Sequence, residues 1–585
     1  MKNAIILTVL GGAASAAPAA AQQRPNILVI LADDMGYSDI GCYGGVIRTP
    51  NLDSLAANGL RYTQFYNTAR SCPSRASLLT GLHPHQAGMG HMTQDRGQEG
   101  YRGELNDRCV TLGEALRTAG YETFAVGKWH VAKNIDPAGS KHNWPLQRGF
   151  DHFYGTIMGG GSYYDPATLC RGNDYVTPEN DPEYRPEKFY YTDAIADNAV
   201  KFLGEHKKAQ NGKPFFMYMA FTAAHWPMQV PEEEVKPYYG AFDNGWDELR
   251  RAKYREMIRR GLIDPRWSLS TDETVMPWRT VENKEFETRC MEVYAGVVSR
   301  MDRNIGRVVG WLREQGMLDN TVILFLQDNG GCAEPMERMR KPFTVRIPEG
   351  ETLAPMGPDE LQTRLIPFKS RDGRPMRRGQ VAAGDADTYV AYGKGWAHLS
   401  DTPFREYKHW VHEGGIATPL IVHWPAGIAA RGEMRKTPGQ LPDIMATCTD
   451  LAGAQYPEQH DGKPIPACEG VSLTGSFAAD RAQPGRCLYW EHEGNRAVRS
   501  GRWKLVYKAA PGREQDIPLA AWELYDLETD RTECCDVAAK HPEKVKELAA
   551  KWDAFAKRCQ VKPWPTPQAA KAPAKKQTPK TSKHE

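Results

Sequence analysis

Four short segments of this chain combine carboxylates with cations in a pattern that can bind a metal ion and meet an anion. Asp33-Asp34 follows the apolar run 27–32, and Gly127-Lys128-Trp129-His130 follows the run 123–126. His225 lies just beyond 214–221, and Gln327-Asp328-Asn329-Gly330 follows 321–326. Singly, each has a bland reading: Asp-Asp caps or turns, Asp-Asn-Gly is a common turn, and a lone histidine is structural. Together, the ends of four strands deliver oxygen ligands or cations to one edge, where open α/β sheets bind ligands. Asp33, Asp34, Asp328 and the amide oxygen of Asn329 match a hard divalent cation, calcium or magnesium. Zinc is disfavoured, because its usual His and Cys ligands are not grouped with these carboxylates.

A fifth segment, Ser71-Cys72-Pro73-Ser74-Arg75-Ala76-Ser77-Leu78-Leu79-Thr80-Gly81, is the most informative. Pro73 suits the first turn of a helix, which sets Ser71 and Cys72 at a helix N-terminus. Such a position attracts anions and favours a developing oxyanion. The physics of the segment alone favours a plainer reading, a helix-capping serine beside a buried cysteine.

The elements that must carry these groups read as an α/β fold. Unalternating apolar runs separated by helices imply a mostly parallel sheet covered on both faces. Helices are expected at 51–58, at 111–119 with a Thr111/Glu114 capping box, and at 302–315. After about residue 480 the pattern changes to short antiparallel strands at 487–491, 497–500, 504–507 and 523–526, then a helix at 542–557. The expected organisation is a leader over 1–21, a catalytic body over 22–480, a small α+β unit over 481–562 and a disordered tail over 563–585.

Composition narrows the class. The 585 residues are 41% hydrophobic and 25% charged, with a net charge of +2. Residues 561–585 hold six lysines and one acid, so the body is mildly acidic. The charge balance therefore argues against a nucleic-acid-binding protein with its main basic face on the folded body. Lys2, an apolar stretch at 4–10 and small residues through Ala21 read as a secretory signal, with cleavage before Gln22. No later run approaches the length of a membrane span. The chain reads as exported, periplasmic or secreted. Its 12 cysteines are too few for a disulfide scaffold, although export would permit some to pair.

Ser71 through Arg75 with Leu79-Thr80-Gly81 resembles the type I sulfatases of the alkaline phosphatase superfamily. Their pattern is Cys or Ser, any residue, Pro, any residue, Arg, then a Leu-Thr-Gly extension. Pro73 and Arg75 fix the register, so Ser71 takes the nucleophile position and Cys72 the variable one. Serine in place of cysteine resembles the serine-type bacterial subgroup, matured by a radical enzyme before export. Asp33-Asp34, Gly127-Lys128-Trp129-His130, His225, Asp328-Asn329-Gly330, and Lys408 followed by Glu413-Gly414-Gly415 extend the resemblance over roughly 25–560. The stretch 402–419 is most similar to bacterial arylsulfatase-like members.

The resemblance implies an alkaline-phosphatase-like fold and an exported sulfate-ester hydrolase, with a serine-type maturation enzyme as partner. It implies one calcium held by Asp33, Asp34, Asp328, Asn329 and residue 71, and formylglycine in place of Ser71. Arg75, Lys128 and Lys408 would offset charge on the sulfuryl oxygens. His130 would support the hydrated aldehyde, and His225, with Lys408, would protonate the leaving oxygen. A phosphonate or phosphodiester hydrolase shares the fold and the motif and stands as the second reading. An inactive glycan-binding protein is a third, opposed by the complete set of nucleophile, ligands and cations.

Two long insertions, 155–186 and 333–405, follow site-bearing segments, and loops of such length are usually functional or disordered. They offer Tyr163, Tyr164 and Asp165, and Trp396, His398 and Arg405. Aromatic faces beside hydrogen-bonding groups suit a sugar ring, so a sulfated carbohydrate is the expected substrate, with aryl sulfates as a side activity. The alternative is that these side chains pack the insertions against the body.

Overall fold

The computed structural model describes residues 24–509 and 517–564. The leader expected at 1–21 and all but the first two residues of the expected 563–585 tail lie outside them. The architecture is built on one sheet of eleven strands. Its first eight are β1 (Asn26–Ala32), β2 (Leu60–Tyr66), β3 (Glu122–Lys128), β4 (His152–Thr156), β5 (Leu169–Arg171), β6 (Asp174–Tyr175), β7 (Phe215–Ala220) and β8 (Thr321–Gln327). The spatial order is Glu433–Arg435, β2, Ala417–His423, β8, β1, β7, β3, β4, β5, β6, with Gly439–Gln440 also paired to β2. The central strands β8, β1, β7, β3 and β4 are parallel, whereas Ala417–His423 runs antiparallel to both its neighbours.

The apolar runs are continuous because both faces are covered. In β1, Leu28, Ile30 and Ala32 enter one core and Ile27, Val29 and Leu31 enter the other, the two-residue period of a strand expressed on both sides. Tyr191–Ala209 and Lys284–Glu314 supply the first core; Leu112–Thr118 and Pro442–Ala452, with α2 (defined below), supply the second. Lys284–Glu314 is a 31-residue helix, where the sequence suggested only its second half. Its first half is buried nearly all round, by Phe286, Cys290, Met291, Val293, Tyr294, Val297 and Val298 among others, which erases the one-sided pattern that marks a surface helix. The expected capping box is present, with the Thr111 side chain accepting from the Glu114 N–H and the Glu114 carboxylate accepting from the Thr111 N–H.

Two helices frame the site. α1 (Pro50–Ala57) leads into β2, and α2 (Ser71–Thr80) follows it, ending at Gly81 in left-handed backbone (φ 69°) with its N–H bonded to the Ser77 carbonyl. At the C-terminal end, Cys487–His492, Asn495–Ser500, Trp503–Tyr507 and Glu523–Asp526 form a four-stranded antiparallel sheet against helix Pro542–Cys559. The insertions are not free loops. The first contributes β5 and β6 to the sheet edge, and the second contains a two-stranded ribbon and helix Lys394–Ser400. All twelve cysteines are free, so the pairing that export would permit is absent. Among the described residues no helix is long and apolar enough to cross a membrane.

Candidate active site

Strand register brings the carboxylates together. Ala32 pairs with Gln327, so Asp33-Asp34 and Asp328-Asn329 leave the sheet side by side, and the Asp34 N–H points to Asp328 Oδ1 at 3.4 Å. Oxygens of Asp33, Asp34 and Asp328 lie within 4.8 Å of one another, and all three side chains are fully buried. Tyr66, at the end of β2, pairs with Ala417, the first residue of the antiparallel strand. Both chain segments therefore reach the same sheet edge: α2 starts just after β2, and Lys408 arrives just before Ala417–His423. Ser71 lies beyond the C-terminal end of β2 as the other site segments lie beyond theirs, whereas Lys408 precedes an antiparallel strand, so a reading that looks only beyond strand C-termini finds Lys408 by motif, not by position.

Ser71 opens α2, with Arg70 as its N-cap. Its hydroxyl donates to Asp328 Oδ2 at 2.7 Å and accepts from Arg75 Nε at 3.0 Å, one helical turn on. Arg75 also donates from Nη2 to Asp328 (2.9 Å), and from Nη1 to the Lys128 carbonyl (3.0 Å) and the Tyr218 hydroxyl (3.4 Å). Lys128 Nζ donates to Asp33 Oδ2 at 2.5 Å, and Lys408 Nζ to Asp34 Oδ2 at 2.8 Å. Asn329 Nδ2 donates to Asp34 Oδ1 at 2.7 Å. His225 Nδ1 donates to the Trp226 carbonyl at 2.6 Å, which leaves Nε2 facing Asp34 at 3.5 Å. The carbonyl can only accept, so the tautomer is set by this bond.

The carboxylates are driven apart in proton affinity. Burial, with the Asp328 charge, raises Asp33 to about 8 against the pull of Lys128 and Arg75. Burial opposes ionisation of Asp34 too, but Lys408 and His225 hold it far below the usual carboxylate range. Burial lowers His225 to about 4, Asp34 offsetting part of that and Lys408 and Lys128 adding to it. Burial, reinforced by Lys128 and Arg75, holds His130 neutral. Asp34 (φ 58°) and His130 (φ 59°) both sit in left-handed backbone, a costly state for such residues that clusters at functional sites.

The donor set fits a hard cation. Asp33 Oδ1 and Asn329 Oδ1 are buried without a hydrogen-bond partner, beside the converging carboxylate oxygens, and every donor is oxygen. Gly159 and Gly160 explain the glycine run of the first insertion. A side chain at 159 would stand 1.9 Å from the His130 ring, and one at 160 would meet Leu365 and His225.

The structure places most of the six expected sugar-binding residues in packing or ion-pair contacts. Trp396 is fully buried among Phe242, Trp246 and Trp278. His398 is buried beside Arg250 and Asp272, whose net effect with burial lowers it to about 3. Arg405 pairs with Glu523 at 3.0 Å and the Tyr525 hydroxyl at 2.9 Å, facing the C-terminal sheet. Asp165 binds Arg371 at 2.8 Å and locks one insertion to the other. Tyr163 is buried and donates to the His225 carbonyl at 2.8 Å, so it positions that histidine from behind. Tyr164 packs edge-on against Tyr190. These aromatics satisfy the packing alternative. Glu334 was missed: it accepts from Trp226 Nε1 at 2.7 Å, pairs with Arg70 at 2.9 Å and lies 3.7 Å from Lys408. Its signal was an acid six residues after Asp328.

A buried serine under an arginine, three converging carboxylates and two lysines on a large α/β sheet define a hydrolytic site for a tetrahedral oxyanion ester. Residues 25–454 match the family described as Sulfatase, and the chain belongs to that family. The arylsulfatase of Klebsiella aerogenes is 33% identical over 484 residues, 81% of this chain and 96% of its own. Among solved structures, Ps i-CgsB in complex with k-i-k-neocarrahexaose superposes with a TM-score of 0.60 at 22% identity, covering 91% of this chain and 93% of its own. A structure in complex with its substrate D-glucosamine-2-N,6-O-disulfate gives 0.58 at 20% identity, covering 92% and 98%. The chain is a sulfuric ester hydrolase.

Proposed function

We propose that this is an exported, formylglycine- and calcium-dependent sulfatase acting on sulfated carbohydrates, with aryl sulfates as a secondary substrate class. The observation that carries the reading is the Ser71 hydroxyl, 2.7 Å from Asp328 and 3.0 Å from Arg75, at the opening of a buried helix. Ser71 is oxidised to formylglycine by a serine-type maturation enzyme and hydrated to a geminal diol. One hydroxyl, losing its proton to the Asp328 carboxylate that meets residue 71, attacks sulfur, and the bond from sulfur to the ester oxygen breaks. The departing oxygen takes a proton from His225 or Lys408, which share Asp34. The second hydroxyl then loses its proton, the carbon–oxygen bond to sulfate breaks, and the aldehyde returns. A serine sulfate ester has no second hydroxyl and no such exit.

Asp33, Asp34, Asp328 and Asn329, with residue 71, would hold the calcium. Bound there, it supplies Lewis acidity to a sulfate oxygen and leaves the site net positive, since Lys128, Lys408 and Arg75 already balance the carboxylates. Arg75 and Lys128 receive the sulfuryl oxygens, and His130 borders the diol. Burial keeps His225 neutral at neutral pH, and an anionic ester raises its proton affinity as it binds. The carbohydrate assignment is supported by the sugar complexes of the structural neighbours.

The test is peptide mass spectrometry of enzyme co-produced with a serine-type maturase, followed by turnover of a sulfated monosaccharide, an aryl sulfate and a matched phosphonate ester. Formylglycine at 71 with sulfate release from the sugar is expected. Preferred turnover of the phosphonate would replace this reading with the phosphonate hydrolase.

A further inference from the structure

Beside the catalytic site, three histidines surround one carboxylate without hydrogen-bonding to it. His91 Nδ1 lies 3.4 Å from Glu493 Oε1, His492 Nε2 lies 3.9 Å from the same oxygen, and His409 Nδ1 lies 3.3 Å from Oε2. His91 and His492 are buried, and His91 Nδ1 and both ring nitrogens of His492 have no hydrogen-bond partner. Donor atoms of His91, His492 and Glu493 all fall within 4.8 Å of one another. Ligands about 2.0–2.1 Å from a tetrahedral ion stand roughly 3.4 Å apart, which is close to the spacing here. Unpaired buried nitrogens converging on a carboxylate at that distance are costly unless something joins them.

The backbone supports the same conclusion. Glu493 and Gly494 are the two turn residues between Cys487–His492 and Asn495–Ser500, with φ of 49° and 82°. Such a turn favours Asn-Gly or Asp-Gly, yet here a glutamate is held in left-handed backbone. His409 is held at φ 92°. Backbone strain of this kind persists only where the surrounding structure over-determines it.

We propose that His91, His492 and Glu493 form a site for a borderline divalent transition ion of the zinc class, distinct from the all-oxygen catalytic site. Two imidazoles and a carboxylate are the donors such an ion selects over calcium. His409 Nδ1 stands 3.3 Å from the second carboxylate oxygen, the position an outer partner of a metal ligand takes. The ion joins the C-terminal hairpin, through His492 and Glu493, to His91 of the body, and His409, the residue after Lys408, faces the same carboxylate. His409 is itself tied to the start of α2, its N–H bonded to the Ala69 carbonyl at 2.9 Å. The site therefore abuts the loop that carries Lys408.

The test uses the full-length matured enzyme in calcium-containing buffer. It is exposed to zinc or cobalt(II), freed of excess by gel filtration and assayed for bound metal by atomic emission. One zinc per chain is expected, with calcium content unchanged and a visible cobalt absorption of tetrahedral intensity. His492→Ala and Glu493→Gln should each lose at least ten-fold in zinc affinity and lose the cobalt band. His91→Gln, the conservative variant, covers the case in which an alanine variant unfolds, which circular dichroism would reveal. Absence of zinc uptake by the wild type, or uptake equal in all variants, overturns the proposal. So does a rise in KM for a sulfated sugar in variants whose metal content is unchanged, because the cluster would then be a leaving-group subsite.

Discussion

At the residue scale the chemistry turns on which of two neighbours is modified. Ser71 is hydrogen-bonded into the site, whereas burial pushes the Cys72 thiol up to about 12 and keeps it inert. Ser71→Ala is expected to abolish sulfate release, and Cys72→Ala to retain most of it; steady-state turnover of both variants reads the difference, and the reverse order would move the motif by one position. Asp328→Ala removes a carboxylate that meets Ser71, Arg75 and the other two acids at once. It should lose bound calcium and most activity, measured by metal analysis beside turnover, and calcium retained at full occupancy would reject the ligand assignment. Trp396 belongs to another class. Being fully buried among aromatics, Trp396→Ala should cost about 3–5 kcal/mol of stability and lower turnover of sugar and aryl sulfates equally. The core residues were legible because each carries chemistry beside a motif. The expected sugar-binding residues rest on less, because an aromatic in a long insertion looks the same in sequence whether it faces a ligand or a core.

At the element scale, register and approach decide the geometry. The runs 27–32 and 321–326 announced their strands through unbroken apolarity, and the in-register ladder of β1 with β8 then follows from burying both faces. The antiparallel entry of Ala417–His423 was not legible, since an apolar run carries no direction. β2, with its mixed polar and apolar sequence, and the first half of the helix Lys284–Glu314, buried nearly all round, lack the patterns that mark a strand or a surface helix. Glycines show how closely elements approach. Gly159 lies against the His130 ring, where a methyl group would stand 1.9 Å from a ring carbon. Gly159→Ala should displace His130 while leaving the fold in place, and a displacement near 1 Å costs on the order of 10²-fold in rate. The expected result is a fall in kcat with an unchanged unfolding temperature; unchanged kcat would mean that His130 does not need its observed position.

At the scale of the whole molecule, the C-terminal sheet is fastened to the catalytic body by a buried ion network. Lys504 donates to Glu413 at 2.9 Å and pairs with Glu533 at 2.7 Å, and Arg531 donates to Glu413 at 2.7 Å. Arg499 reaches the same group through the Tyr66 hydroxyl, which donates to Glu413 at 3.0 Å. Glu413 opens the short helix before Ala417–His423, and Lys408 lies five residues upstream. The sequence showed the Glu413-Gly414-Gly415 motif but not its reason, because the partners stand 91 and 118 positions away. The glycines are required as well, since a side chain at 414 would meet the Glu406 carbonyl at 2.1 Å and one at 415 the Trp410 carbonyl at 1.9 Å. Lys504→Met leaves two buried carboxylates sharing one fewer cation, a loss worth about 3–5 kcal/mol. Because the strain falls on the segment that carries Lys408, activity should be lost on heating before the body unfolds. Two separate transitions are expected in the variant, one in residual turnover and a later one in circular dichroism, where the wild type shows a single one. Coincident transitions in the variant would mean that the network stabilises the molecule as a whole and has no particular hold on the catalytic lysine.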